Sequence, residues 1–213
     1  MDFPSRIKQQ TCMDCLSGKS LGFEIRMAFQ PIIDWPNQQI YGYEALVRGP
    51  NGEGAAWVFE RINESNKYYF DQACRVKAIE TAAKLGLDKI LSINFLPNAV
   101  YNPETCIRAS IEAADLFGFN IHNIMFEVTE GEQIVDRAKL SRIFDSYAKR
   151  GFITAIDDFG SGFADLSWLE FLRPQVLKLD MELIRDIHLD KQKQFVIDEV
   201  LGILSLIHIS EPT

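Results

Sequence analysis

From Ile25 onward, short apolar runs alternate with longer stretches whose apolar positions recur at helical spacing. That alternation is the signature of successive β–α units. The apolar runs predict strands over 26–33, 40–48, 90–95, 124–129, 152–158 and 176–180. Between them, Ala73, Val76, Ile79 and Ala83 lie at helical spacing and predict a helix over 72–85 that ends at Gly86. Asn102 as cap and Pro103 in the first turn open a second helix over 103–117. A third, over 132–149, stops at Gly151, a suitable residue just past a helix end. A fourth, over 164–172, stops before Pro174, and a fifth covers 181–204. The link Asp34-Trp35-Pro36-Asn37 is too short for a parallel crossover, so the first two strands pair as an antiparallel hairpin. The remaining strands alternate as parallel units. This combination favours a modified barrel over an open doubly wound sheet, although spacing alone does not separate the two.

Composition narrows the chemistry. The 213 residues are 47% hydrophobic, enough for one sizeable core, and the net charge is −8. An acidic chain gains nothing from long-range attraction to a nucleic-acid polymer or an anionic membrane. If the ligand carries phosphates, local cations must offset the repulsion. No apolar run reaches the ~18 residues of a membrane span, and MDFPSRIKQQ lacks the apolar core of a signal peptide, so a cytoplasmic setting is expected. The 4 cysteines do not suggest a disulfide framework. Cys12 and Cys15 form a lone C-x-x-C without a second ligand pair, read as an unpaired thiol pair in a leader over 1–22.

The predicted strands share one feature. Most carry a polar or charged residue near the C-terminal end: Glu44, Asn94, Glu127, the adjacent Asp157 and Asp158, and Lys178 with Asp180. In a parallel barrel those ends converge on one face. A single strand-end acid is more often a cap for the next helix. Several at successive ends point to a shared site, which would repel itself unless divalent cations relieved it. Oxygen donors suit Mg²⁺ or Mn²⁺. Two such ions form a clamp for phosphoryl chemistry, with Asp157 as the candidate bridge. Lys178 would orient the attacking water or neutralise phosphate, and Arg48 would hold a non-reacting phosphate.

Six segments carry a family resemblance: FQPI at 29–32, YGYEALVRG at 41–49, SINF at 92–95, FEVTE at 126–130, AIDDFGSG at 155–162 and LKLD at 177–180. In this order and spacing they resemble EAL domains, bacterial phosphodiesterases that hydrolyse cyclic di-GMP to linear pGpG with Mg²⁺ or Mn²⁺. The resemblance implies an α/β fold, a TIM-like (βα)₈ barrel with an antiparallel first strand, over 23–203. It implies one metal held by Glu44, Asn94, Glu127 and Asp157, and a second held by Asp157 and Asp158. Glu44, Asp158 and Lys178 would serve catalysis, and Gln30, Leu46 and Arg48 would contact substrate. Glu130 would anchor the loop after Asp158, where Ser161 stands in place of the family's frequent threonine.

The family's seventh strand, with its metal-site glutamate, and its eighth strand find no match after LKLD. The tail over 204–213 reads as vector-derived. The expectation is therefore an incomplete barrel with a weakened second metal site and reduced turnover. Its open edges would pair between copies in a homodimer, in the manner of domain swapping. The competing expectation is a non-catalytic cyclic di-GMP-binding regulatory module.

Overall fold

The computed structural model describes residues 21–100, 102–129, 136–160 and 167–207. Six strands form one sheet in sequential order: β1 (Arg26–Asp34), β2 (Gln39–Arg48), β3 (Ile90–Asn94), β4 (Ile124–Thr129), β5 (Ile153–Phe159) and β6 (Val176–Leu179). The first pair is antiparallel, with Gln30 opposite Glu44, and every later pair is parallel. All six strands thus match the hydrophobic pattern to within a residue or so at each end. Among the described residues, β1 and β6 are the two edges of the sheet.

The helices are α1 (Ala55–Phe59), α2 (Lys67–Lys84), α3 (Pro103–Cys106), α4 (Arg108–Phe117), α5 (Arg137–Ala148), α6 (Ser167–Leu172), α7 (Met181–Ile184) and α8 (Lys191–Ile207). Four depart from the sequence reading. Helix α5 begins at Arg137 rather than 132, because Asp136 is extended and caps it through the Lys139 amide, and residues 130–135 lie outside the described residues. Helix α2 starts five residues early, because the aromatic turn at 68–70 continues the buried face through Phe70. The span 103–117 is two helices, the first capped by the Asn102 side chain on the amides of Glu104 and Thr105. The span 181–204 breaks because Asp186 adopts a left-handed backbone at φ 56°. Asp190 then accepts from the amides of Gln192 and Lys193 and starts a new helix. Aspartate competes for nearby backbone donors, which is why it punctuates helices. Helix α1 was not anticipated.

Strand alternation sorts the sheet into two faces. On β3, Leu91, Ile93 and then Phe95 pack into the core, while Ser92 and Asn94 take the other face. On β4, Phe126 and Val128 join that core and Glu127 points the opposite way. Val76 and Ile79 of α2, Ala113 of α4 and Phe144 and Tyr147 of α5 close over these side chains. Each fully buried large apolar residue there contributes about 1.5–3 kcal/mol. At the start of β2 a Cβ on Gly42 would lie 2.6 Å from the Ile90 carbonyl oxygen. Only glycine permits that approach, and it seats Glu44, two residues on, beside Ser92 in register. Gly151, at φ 87°, ends α5 as its sequence position foretold.

Candidate functional site

The parallel register aligns the strand ends on one side of the sheet. Asn94 on β3 is level with Glu127 on β4. One carboxylate oxygen from each of Glu44, Glu127 and Asp157 falls within 4.8 Å of the other two. Three carboxylates at that separation repel strongly, and the side chains around them are arranged to compensate.

Lys178 enters this cluster from β6. Its Nζ lies 2.9 Å from Asp157 Oδ2, 3.2 Å from Glu44 Oε2 and 3.2 Å from both oxygens of Glu127. Asn94 Nδ2 donates to Glu44 Oε1 and Glu127 Oε1, each at 3.1 Å. Ser92 Oγ donates to Glu127 Oε2 at 2.5 Å. Glu127 is the fully buried member. Burial pushes its pKa up to about 7. Lys178 and the Ser92 hydroxyl oppose that rise, while Asp157 and Glu44 add to it. For Lys178, burial disfavours the ammonium, but Glu127, Asp157 and Glu44 outweigh it and hold the pKa above the usual lysine range.

Asp157 and Asp158 are neighbours that an ideal strand would send to opposite faces. The β5–β6 ladder shifts between Ile156 and Phe159, which makes the pair a bulge, and Asp158 sits at φ 54°. A bulge re-aims side chains at a sheet rim. A left-handed aspartate is uncommon and carries strain of order 1 kcal/mol. Burial, then the charges of Asp157 and Asp180, raise the pKa of Asp158.

The other expected residues are placed as follows. Gln30 is exposed on β1, in register with Glu44. Leu46 lines a cavity of about 320 Å³ between the sheet and α1 and α2, whose wall also includes Asn94, Leu96 and Thr129. Arg48 donates to the Val47 carbonyl at 2.8 Å. Asp180 caps α7 through the Glu182 amide, the ordinary role of a strand-end acid. Glu130, Ser161, Cys12 and Cys15 lie outside the described residues. Ser92 was not anticipated. Its signal was parity, because it stands two residues before Asn94 on the same strand face.

The family model for the EAL domain matches residues 13–210. The chain belongs to the EAL domain family. A standalone versatile EAL protein from Vibrio cholerae O395, solved in its cyclic di-GMP bound form, is 52% identical with a TM-score of 0.84 and covers 90% of this chain and 81% of its own. The manganese and cyclic di-GMP complex of Klebsiella pneumoniae BlrP1 at pH 9.0 is 29% identical with a TM-score of 0.80, over 87% of this chain and 48% of BlrP1. Two curated relatives come from Escherichia coli (strain K12). The blue light- and temperature-regulated antirepressor BluF is 29% identical over 175 residues, 82% of this chain and 43% of BluF. The probable cyclic di-GMP phosphodiesterase PdeG is 27% identical over 199 residues, 88% of this chain and 38% of PdeG. This EAL chain therefore spans about two fifths of the length of these curated relatives. The six-stranded sheet is an incomplete TIM-like barrel with an antiparallel first strand. Among its described residues no helix is long and apolar enough to cross a membrane.

Proposed function

We propose that this EAL chain hydrolyses cyclic di-GMP to linear pGpG, using Mg²⁺ or Mn²⁺ held at the strand ends. The observation that carries the reading is the convergence of Glu44, Glu127 and Asp157 on one point beside Lys178. The donor set fits such ions. Its carboxylates are all oxygen and outnumber the one lysine, and Asn94, whose amide nitrogen here faces Glu44 and Glu127, would present its oxygen to an ion by turning its amide over. Glu44, Asn94, Glu127 and Asp157 would hold one ion, and Asp157 with Asp158 a second. Bound there, the ions supply Lewis-acid stabilisation of a phosphoryl oxygen and lower the pKa of water.

The protein's own groups perform the rest. The Ser92 hydroxyl fixes the carboxylate plane of Glu127. Lys178 holds the attacking water in position and offsets charge on the scissile phosphate once the acids turn to other partners. Arg48, on the same strand as Glu44, and Gln30, opposite Glu44 on β1, are suited to the second phosphate and a base, with Leu46 giving an apolar contact. The names of PdeG and of the Vibrio complex support the substrate, and that of the BlrP1 complex supports the metal. Incubating the chain with cyclic di-GMP and Mn²⁺ should yield pGpG on chromatography, and Asp157→Ala should abolish it. An unhydrolysed substrate under both ions overturns the reading.

The name of BluF, an antirepressor, favours a second reading in which the chain binds cyclic di-GMP and acts through a protein partner. Calorimetry separates the two, because binding without turnover supports the regulatory module. The β1 and β6 edges, with Phe195 and Leu201 exposed on α8, also support a homodimer. A monomer by light scattering at micromolar concentration would sink that part.

A further inference from the structure

Behind the acid cluster, on the helix-facing side of β3 and β4, lies a second charged group. Arg75 of α2 is 0% exposed, and a guanidinium stays charged even when buried. Arg75 Nη2 is 2.7 Å from Asp71 Oδ2, one helical turn back, and Nη1 donates to Tyr147 Oη on α5 at 2.8 Å. Its guanidinium carbon lies 5.3 Å from the Phe95 ring centre, 5.1 Å from Phe126 and 5.8 Å from Tyr147. The cation thus sits in a cage of three aromatic rings, a favourable environment once water is excluded.

Two of those rings belong to residues adjoining the candidate metal ligands. Phe95 follows Asn94, and Phe126 precedes Glu127. The backbone repeats the connection. Beyond Asn94, the Phe95 amide donates to the Glu127 carbonyl at 3.0 Å, and the Leu96 amide donates to Asp71 Oδ1 at 2.9 Å. The chain leaving β3 is therefore tied to Glu127 on one side and to Asp71 on the other. Packing alone does not explain the arrangement, since apolar residues of similar volume often replace a buried ion pair at no cost in stability. What an ion pair adds is direction. Asp71 holds the β3 end through the Leu96 amide, and Arg75, ion-paired to Asp71, holds helix α5 through its hydrogen bond to Tyr147.

We propose that Asp71, Arg75 and Tyr147 form a positioning unit for Asn94 and Glu127, setting the spacing at which the β3 and β4 ends can hold a divalent cation. The assignment rests on the metal-site reading above. The unit acts through the strands, with Asp71 also on the wall of the cavity that Leu46 lines. Groups that orient metal ligands from outside typically govern affinity by ten- to a hundred-fold.

The test uses the full chain and Mn²⁺ alone, titrated by electron paramagnetic resonance, with hydrogen exchange read at the Leu96 amide. Asp71→Asn keeps the shape but removes the charge, Arg75→Lys keeps the charge but not the fork, and Tyr147→Phe removes one oxygen. Each folded variant should bind Mn²⁺ about tenfold or more weakly than wild type for Asp71→Asn and Arg75→Lys, and measurably more weakly for Tyr147→Phe. Leu96 exchange should quicken in Asp71→Asn. Wild-type Mn²⁺ affinity in folded Asp71→Asn overturns the assignment, and Tyr147→Phe decides in the same way if Asp71→Asn does not fold. A wild-type chain that takes up no Mn²⁺ overturns the metal-site reading and the assignment together. Uptake by wild type with equal uptake by the variants overturns the assignment alone.

Discussion

The two charged groups on either side of β3 and β4 use the same chemistry to opposite ends. In front, Glu44, Glu127 and Asp157 share Lys178 as their one cation among the described residues, so three carboxylates face one positive charge. Behind, Asp71 meets Arg75 one to one, and both are almost wholly buried. An unbalanced, partly open cluster has capacity left for a further positive partner. A balanced, closed one has none, and can only hold its surroundings in place. The difference suggests that charge balance, rather than the mere presence of acids, separates a site from a scaffold.

The sharpest way to break this comparison is to unbalance the rear pair. Asp71→Ala leaves a buried guanidinium without its counter-charge and the Leu96 amide without its acceptor. Removing one partner of a buried pair costs about 3–5 kcal/mol. Denaturant unfolding should register a loss of that size. A loss below 1 kcal/mol would mean that Arg75 reaches water or another anion when Asp71 is gone.

Restoring balance in front should have the converse effect. Mn²⁺ at a hundred times its dissociation constant should stabilise the chain by about 2.7 kcal/mol. A chelator should reverse the gain, and Asp157→Ala should not show it. A thermal midpoint indifferent to Mn²⁺ would mean that Lys178 already satisfies the three acids.

The sequence exposed the front group far better than the rear one. Its acids stand at the ends of strands whose alternation is plain, so the sequence alone gathers Glu44, Asn94, Glu127, Asp157 and Lys178 on one face. Parity also reaches Ser92, though a strand serine is too ordinary to attract notice alone. The bulge that turns Asp158 at φ 54° is a property of the β5–β6 ladder and leaves no mark in the local sequence. Arg75 was hidden for a different reason. An arginine four residues after an aspartate on a helix looks like a solvent-exposed pair. Only the closing of α5 and its Tyr147 over α2 shows that this one is inside. Helix punctuation by Asp186 and Asp190 was missed because apolar periodicity runs through both.

Tyr147 gives a gentler probe of the rear group. Burial pushes its hydroxyl pKa from 10.0 up to about 12, with the Arg75 charge and hydrogen bond working against the rise. Between those values the folded chain keeps a proton that the unfolded chain has lost. Stability is therefore intact below about pH 10 and falls toward pH 12, by at most about 1.4 kcal/mol per pH unit. The comparison with Tyr147→Phe isolates the effect from lysine titration, since the variant should lack this part of the alkaline slope. Equal slopes in both proteins would place the hydroxyl in contact with water.

The smallest effect supplies the baseline. Helix α2 carries a second acid–base pair at the same spacing and in the same order, Glu80 and Lys84, 2.5 Å apart. The Lys84 side chain is 65% exposed, against 0% for Arg75. Solvent screens the exposed pair and side-chain entropy opposes it, so Lys84→Ala should cost no more than about 0.5 kcal/mol, and less in high salt. Asp71→Ala should keep nearly its full effect at the same salt concentration, because ions do not reach the buried pair. Two pairs on one helix thus differ in burial and in what each acid also holds, the Leu96 amide for Asp71 and Lys77 for Glu80. If their alanine variants proved equally costly, desolvation would not be what distinguishes them, and the rear group would lose its claim to be more than an ordinary helix pair.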